Sequence, residues 1–206
     1  YASFRFFGFD TNSPYYRNKD SLDPRAAFIF EGVSKDEVIG DFESLVQKYG
    51  AAGFELDRAD HKFGTPTHCL ILATSSGHSD AYQFVTEEVN CSDSKQGGTV
   101  HPLVKADMVY FEYPYNGAVF SVGSISWSGS LYYNNYDNNI SRITENVLKK
   151  FSIWISFFLK FNYLESIGES VSPPHFNFES TFIDELFKIE SSKQIDNFII
   201  QCHKYD

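Results

Sequence analysis

A chain of 206 residues that is 42% hydrophobic and 21% charged has enough apolar material to fold, and fits one domain with or without an appendage. Its net charge of −10 and its lack of basic runs exclude the usual electrostatic routes to nucleic acid and to anionic membrane surfaces. The 21 Phe and 13 Tyr point instead to a large aromatic core or to contacts between subunits.

The first 25 residues, with Asn12-Ser13-Pro14 and Asp23-Pro24, read as loops around aromatic anchors. Ala26 to Phe30 is a short apolar run suited to a buried strand. Leu45, Val46 and Tyr49 predict a short helix ended by Gly50. Gly53-Phe54-Glu55-Leu56-Asp57 alternates apolar and acidic side chains, which places Glu55 and Asp57 on one face of a strand. His68 to Ala73 is almost continuously apolar, as in an interior strand covered on both faces. Asn90 to Gly98 is polar and reads as an exposed loop.

Met108 to Phe111 and Ala118 to Val122 are two further strands, with Asn116-Gly117 as a hairpin signal weakened by Pro114. Between Gly123 and Ser130 small residues crowd together, which permits a close backbone approach to a ligand or to a neighbouring element. From Asn138 the pattern turns helical: Ile140, Ile143, Val147, Leu148 and Phe151 form one stripe, with Asn138 or Asn139 placed to cap it. Arg142 and Glu145 are spaced to pair on its solvent face. Beyond Ser152 no chemistry-bearing motif is visible. Strands alternating with helices predict an α/β domain with a largely parallel sheet flanked by helices. The chain divides into residues 1–151 and a divergent extension, 152–206, that is expected to be partly helical.

No charged segment followed by an apolar stretch marks a secretory leader, and the longest apolar stretch, Phe151 to Leu164, is too short and too polar to span a bilayer. Three cysteines, Cys69, Cys91 and Cys202, lack CxxC spacing and fit reduced thiols in a cytoplasmic protein. GxSxG and GxCxG are absent, and Cys69 lies inside an apolar run where thiols are inert. Asp57, Asp60, His61, His68 and His78 follow no metal-ligand spacing, so no metal site is expected in this chain.

Two places remain as candidate chemistry. Glu55, flanked by Phe54 and Leu56, is a carboxylate suited to general acid/base work, or else it joins Asp57 and Arg58 in a cluster that fixes a loop. Gly123, Ser124 and Trp127 line a substrate pocket, or else the small residues let a strand pack closely on the Ile140 helix.

Three ordered blocks carry a resemblance: SLDPRAAFIFEGVSKDEVIGDF (Ser21 to Phe42), AAGFELDRADHKFGTPTHCLILATSSGHSDAY (Ala51 to Tyr82) and the run from Asp107 to Phe151. They resemble the C-terminal region of the large, or beta, subunit of N,N-dimethylformamidase, over roughly residues 4 to 151. The resemblance implies a metal-dependent amidase that splits small N-alkyl formamides into amine and formate. It implies a glutamine-amidotransferase-like fold, a small amide substrate and other subunits in a homo- or hetero-oligomer. It also implies an iron held by two Tyr and one Glu in segments upstream of the matched region, so this chain alone is expected to be incomplete and inactive. Within that family the GFELD motif is associated with an active-site Glu, which adds weight to Glu55. The rival expectations are a non-catalytic scaffold or oligomerisation domain, and an amidotransferase-like domain acting on another C–N bond.

Overall fold

The computed structural model describes residues 2–4, 12–45, 49–85, 95–114 and 117–166, with side chains described from Asn12 to Ser152. Two compact units divide the chain, Tyr1–Lys160 and Phe161–Asp206. In the second unit the described residues, 161–166, are the end of one helix.

Among the described residues, seven short strands form two antiparallel sheets. The first joins β3 (Glu55–Leu56), β1 (Ala2–Phe4) and β5 (Tyr82–Phe84), in that order. The second is ordered β2 (Tyr16–Arg17), β4 (Leu70–Ser75), β6 (Ala106–Glu112), β7 (Ala118–Ser121). The strands at 70–75, 106–112 and 118–121 lie where the apolar runs place them.

The largely parallel sheet of a glutamine-amidotransferase-like fold does not form. Every pairing among the described strands is antiparallel. β6 and β7 are joined by residues 113–117, far too few for the crossover that a parallel pair needs. Tyr110 pairs Phe120 in that hairpin, and Tyr113 N–H closes it on the Gly117 carbonyl at 2.6 Å. Residues 115 and 116 of the expected turn lie outside the described residues.

The continuous apolar runs that suggested a parallel sheet arise differently. Both faces of β4 and β6 are covered, but by loops and 3-10 turns instead of crossover helices. On one face Phe28 meets Tyr110 edge-on at 5.6 Å, and the Arg17 guanidinium lies 4.0 Å over the Phe30 ring. On the other, residues 57–66 cross over Asp107, Val109 and Phe111.

Ala26 to Phe30, expected as a strand, belongs instead to a 3-10 helix, Pro24–Phe30. The reason is at its start: the Asp23 carboxylate accepts the Arg25 N–H at 2.9 Å, and Pro24 supplies a preset φ at the first position. Ala26, Ile29 and Phe30 still face the core. Val46 to Lys48, the middle of the short helix expected after Ser44, lies outside the described residues. The strand expected at 53–57 shrinks to two residues because Phe54 takes φ 68°, a left-handed conformation incompatible with a strand.

Two helices close the unit: α1 (Ser126–Ser130) and α2 (Asn139–Ser166). Asn138 caps α2 through its side-chain oxygen, which accepts Ser141 N–H at 2.9 Å. Ile140, Ile143 and Val147 are buried as the stripe predicts, whereas Leu148 is exposed. Polar side chains on the same helix fix the loops over it. Asn146 donates to the carbonyls of Ile29 and Glu31, and Asn139 donates to Val38 and accepts from Gly40 N–H. The Arg142–Glu145 pair forms at 3.3 Å on the exposed face.

One core unites these elements, with Ile29, Leu56, Leu72, Met108, Ile140 and Ile143 fully buried. Each contributes about 1.5–3 kcal/mol by leaving water. Where β7 ends, Gly123 (φ +66°) passes so close to the Asp57 and Asp107 backbones that a Cβ would collide with the Asp57 carbonyl oxygen. Gly123→Ala is expected to lower the unfolding free energy by about 2 kcal/mol or more, measured by urea denaturation.

Candidate functional site

Asp57, Arg58 and Ala59 leave β3 and run against the ends of β6 and β7. Asp57 N–H donates to the Gly123 carbonyl at 2.8 Å, and Asp107 N–H donates to the Asp57 carbonyl at 2.9 Å. The chain then turns through His61–Phe63. Asp60 fixes that turn by accepting Lys62 N–H at 3.0 Å, while its own N–H donates to Thr65 Oγ1 at 2.9 Å. The Lys62 N–H and the Arg58 guanidinium hold the Asp60 carboxyl below its ordinary range, against a smaller desolvation that works the other way.

Between this segment and the strands lies an open cavity of about 290 Å³. Asp107, Val109, Phe111 and Ser121 form its floor, and Phe63, Gly64, Thr65 and Pro66 overhang it. Asp57, Arg58, Ala59 and Gly123 close one end. The space suits a small molecule with an apolar body.

Its most deeply placed charge is Asp107, whose side chain is wholly buried. The carboxylate accepts Thr74 Oγ1–H at 2.7 Å and Ala59 N–H at 3.0 Å, and pairs with Lys105 Nζ at 2.9 Å. Asn18 Nδ2 donates in turn to Thr74 Oγ1 at 2.8 Å. Such a charge is retained because it is both paired and hydrogen-bonded. Arg58 is the opposite case: its side chain is 4% exposed and bonds Asp60 at 3.2 Å, while Nε and Nη1 have no partner. Both atoms are sealed from solvent, so they do not serve the cavity directly. The guanidinium also rests 4.9 Å from the centre of the Phe84 ring.

Of Glu55, Gly123, Ser124 and Trp127, Gly123 alone lines the cavity. Glu55 is half-buried on β3 and pairs in register with Ser3, away from the cavity lining. Ser124 clasps Gly53 in both directions: its hydroxyl donates to the Gly53 carbonyl and accepts Gly53 N–H, each at 2.8 Å. Trp127 is buried, donating Nε1–H to Thr144 Oγ1 at 3.0 Å and standing edge-on to Tyr15 at 5.7 Å. In this position Trp127 is packing against α2. Asp107, Lys105 and Thr74 were not singled out from sequence. Their signal is a lone carboxylate inside the apolar run from Ala106 to Phe111.

A profile of the family described as N,N-dimethylformamidase beta subunit-like, C-terminal, matches residues 2–138. The N,N-dimethylformamidase beta subunit of Paracoccus aminophilus is 47% identical over 145 residues, which are 70% of this chain and 19% of that protein. The corresponding subunit from an Alcaligenes species is 44% identical with the same coverage, 70% and 19%. The chain belongs to the N,N-dimethylformamidase beta subunit-like C-terminal family. It spans 19% of the length of the curated relatives it matches.

Among the described residues no group of three His, Cys, Asp or Glu is placed to hold a metal. The fully buried Tyr15 donates its phenol to the Val122 carbonyl at 2.7 Å, and Tyr110, at the edge of the core, donates to Glu112 at 2.8 Å. Desolvation pushes both phenols well above their ordinary range. His61 contacts the Thr65 carbonyl and His68 the Glu112 carbonyl, each at 2.9 Å, so the histidines are dispersed and structurally engaged. Cys69 is buried and its thiol is pushed up by desolvation, against nucleophilic use. Cys91 and Cys202 lie outside the described residues. No described helix is long and apolar enough to cross a membrane.

His78 is fully buried and stands edge-on to Tyr82 at 5.0 Å. Ser75 Oγ donates to the Ser13 carbonyl, which leaves His78 Nε2 to donate to Ser75 Oγ at 3.2 Å. Burial depresses its pKa from 6.5 to about 4, with the Ser75 contact opposing in part. The unfolded chain therefore takes up a proton that the folded chain refuses. Stability contributed by neutral His78 is complete above pH 6.5 and falls by about 1.4 kcal/mol per pH unit as pH drops toward 4. Urea unfolding at stepped pH checks this, and His78→Gln should flatten the profile over that window. Asp107→Ala should cost about 3–5 kcal/mol by stranding Lys105, Thr74 and the Ala59 N–H, read by the same measurement.

Proposed function

We propose that the chain is the C-terminal portion of a metal-dependent amidase resembling N,N-dimethylformamidase, which hydrolyses small N-alkyl formamides to amine and formate. The observation that carries this reading is the match of residues 2–138 to a family described as N,N-dimethylformamidase beta subunit-like. In this reading the iron and its ligands come from polypeptide outside the chain, which by itself is inactive. The relatives are described as beta subunits, and that supports assembly with other subunits. A cytoplasmic location fits the cysteine usage, and the acidic balance offers nothing to nucleic acid.

Amide hydrolysis requires a base or nucleophile, a stabiliser for the oxyanion and an acid for the leaving amine. Glu55 is the candidate acid/base group. Its placement next to the left-handed Phe54, whose N–H donates to Tyr82 Oη at 3.0 Å, supports a fixed orientation. Gly123 and Ser124 then act through position: Gly123 shapes the end of the cavity, and Ser124 holds the turn that carries Glu55.

A second reading, a non-catalytic scaffold, draws support from the internal engagement of Asp107 and Ser124, whose polar groups are committed to the fold. Turnover of the full-length polypeptide separates the two. Under the amidase reading it releases formate from dimethylformamide with iron present in stoichiometric amount, and Glu55→Gln lowers the rate by about 10²-fold or more. Formate release unaffected by Glu55→Gln would remove the catalytic role of Glu55. An absence of any release with iron bound would favour the scaffold.

A further inference from the structure

One surface, opposite in character to the packed core, combines exposed tyrosines with unpaired acids. Phe42 stacks on Tyr133 with centroids 4.1 Å apart and planes within 10°, and Leu45 N–H donates to the Gly129 carbonyl at 3.0 Å. These contacts join the segment around 41–45 to the turn after α1. Beside this contact Tyr132 stands edge-on to Tyr136 at 6.1 Å; Tyr132 is 51% exposed, Tyr133 43%, Tyr136 62% and Leu45 70%. Large apolar and aromatic side chains exposed together mark interaction surfaces.

The turn that displays them is built at a cost. Asn134, Asn135 and Tyr136 have φ of 51°, 54° and 68°, three left-handed residues in a row. Two are asparagines, which tolerate it, but Tyr136 does not do so readily. Side chains hold the turn in place: Asn138 Nδ2 donates to the carbonyls of Leu131 and Tyr133 at 3.0 and 2.6 Å, and Asn134 Nδ2 donates to that of Asp137 at 3.0 Å. The backbone that carries the rings is thus fixed, which lowers the entropic cost of binding.

Charge identifies the partner's chemistry. Between Lys35 and Lys48, and again between Lys105 and Arg142, the sequence contains no Lys or Arg. Asp41, Glu43 and Asp137 lie in these stretches, exposed and in none of the ion pairs of the described residues. Tyrosine faces carry negative quadrupoles that attract cations, and guanidinium groups stack on them better than ammonium groups do.

We propose that the face formed by Tyr132, Tyr133, Tyr136 and Leu45 is a docking surface for an arginine-bearing segment of another polypeptide. Its guanidinium groups stack on the rings and pair with Asp41, Glu43 and Asp137. This is independent of the amidase reading and of Glu55.

The test is fluorescence anisotropy with the full chain and two labelled peptides of equal charge, one alternating Arg with Ser and the other alternating Lys with Ser. The Arg peptide binds several-fold tighter than the Lys peptide. Tyr132→Ala with Tyr136→Asn weakens the Arg peptide by about tenfold without changing net charge. Asp41→Asn with Glu43→Gln weakens both peptides. Equal binding of the two peptides, or unchanged binding by the tyrosine variant, would mean attraction by net charge alone and would overturn the proposal, as would no binding at all. Asn at position 136 tolerates the left-handed backbone; if unfolding of the double variant shifts nonetheless, Tyr132→Ala alone is measured against the same prediction.

Discussion

The fold around the cavity depends on one buried carboxylate. Asp107 ties together β4 through Thr74, one end of the cavity through Ala59 N–H, and its own strand through Lys105. An isolated charge there would be prohibitive, so its three partners are required and not decorative. Each partner comes from a different part of the sequence. The network therefore sets where residues 57–59 cross the sheet, and hydrophobic contact alone has no such directional demand. The backbone repeats the instruction: Asp57 is bonded to Gly123 on one side and to Asp107 on the other. Only a glycine allows the three strands of chain to approach so closely at that point.

From this constraint the character of the cavity follows. Asp107 lines it, yet the carboxylate is already committed to an ammonium, a hydroxyl and an amide. Arg58 touches the same space, yet its unpartnered nitrogens are sealed behind it. The polar groups near the cavity hold the walls in place, and what remains for a guest is mainly the apolar surface of Phe63, Val109 and Phe111.

The strands at 70–75 and 106–121 and the capped helix from Asn139 were legible because apolar pattern and turn chemistry agree locally. Their direction was not. A strand buried on both faces by loops has the same apolar signature as one buried by crossover helices, and only the short 113–117 connection distinguishes them. Pro24–Phe30 misread for a similar reason: AAFIF is apolar enough for either element, and the Asp23–Pro24 start decides for a 3-10 turn. Asp107 escaped notice because burial of a charge is visible only when its partners, 2, 33 and 48 residues away in sequence, are brought together. Trp127 inside a small-residue segment looked equally like a pocket wall, and its indole bond to Thr144 decides for packing.

Two of the sequence candidates turn out to be mechanically linked although about 70 residues apart. The Ser124 hydroxyl clasps both backbone polar groups of Gly53, and the Tyr82 hydroxyl takes the N–H of Phe54. Gly53 tolerates this grip because a side chain there would strike Asn12 and the Tyr82 hydroxyl. Phe54 is thereby held left-handed, at a cost of order 1–3 kcal/mol. A simple connection into β3 needs no such arrangement, since an extended residue would serve. Strain fixed from two sides, immediately before a carboxylate, is the pattern by which a fold specifies the aim of one side chain.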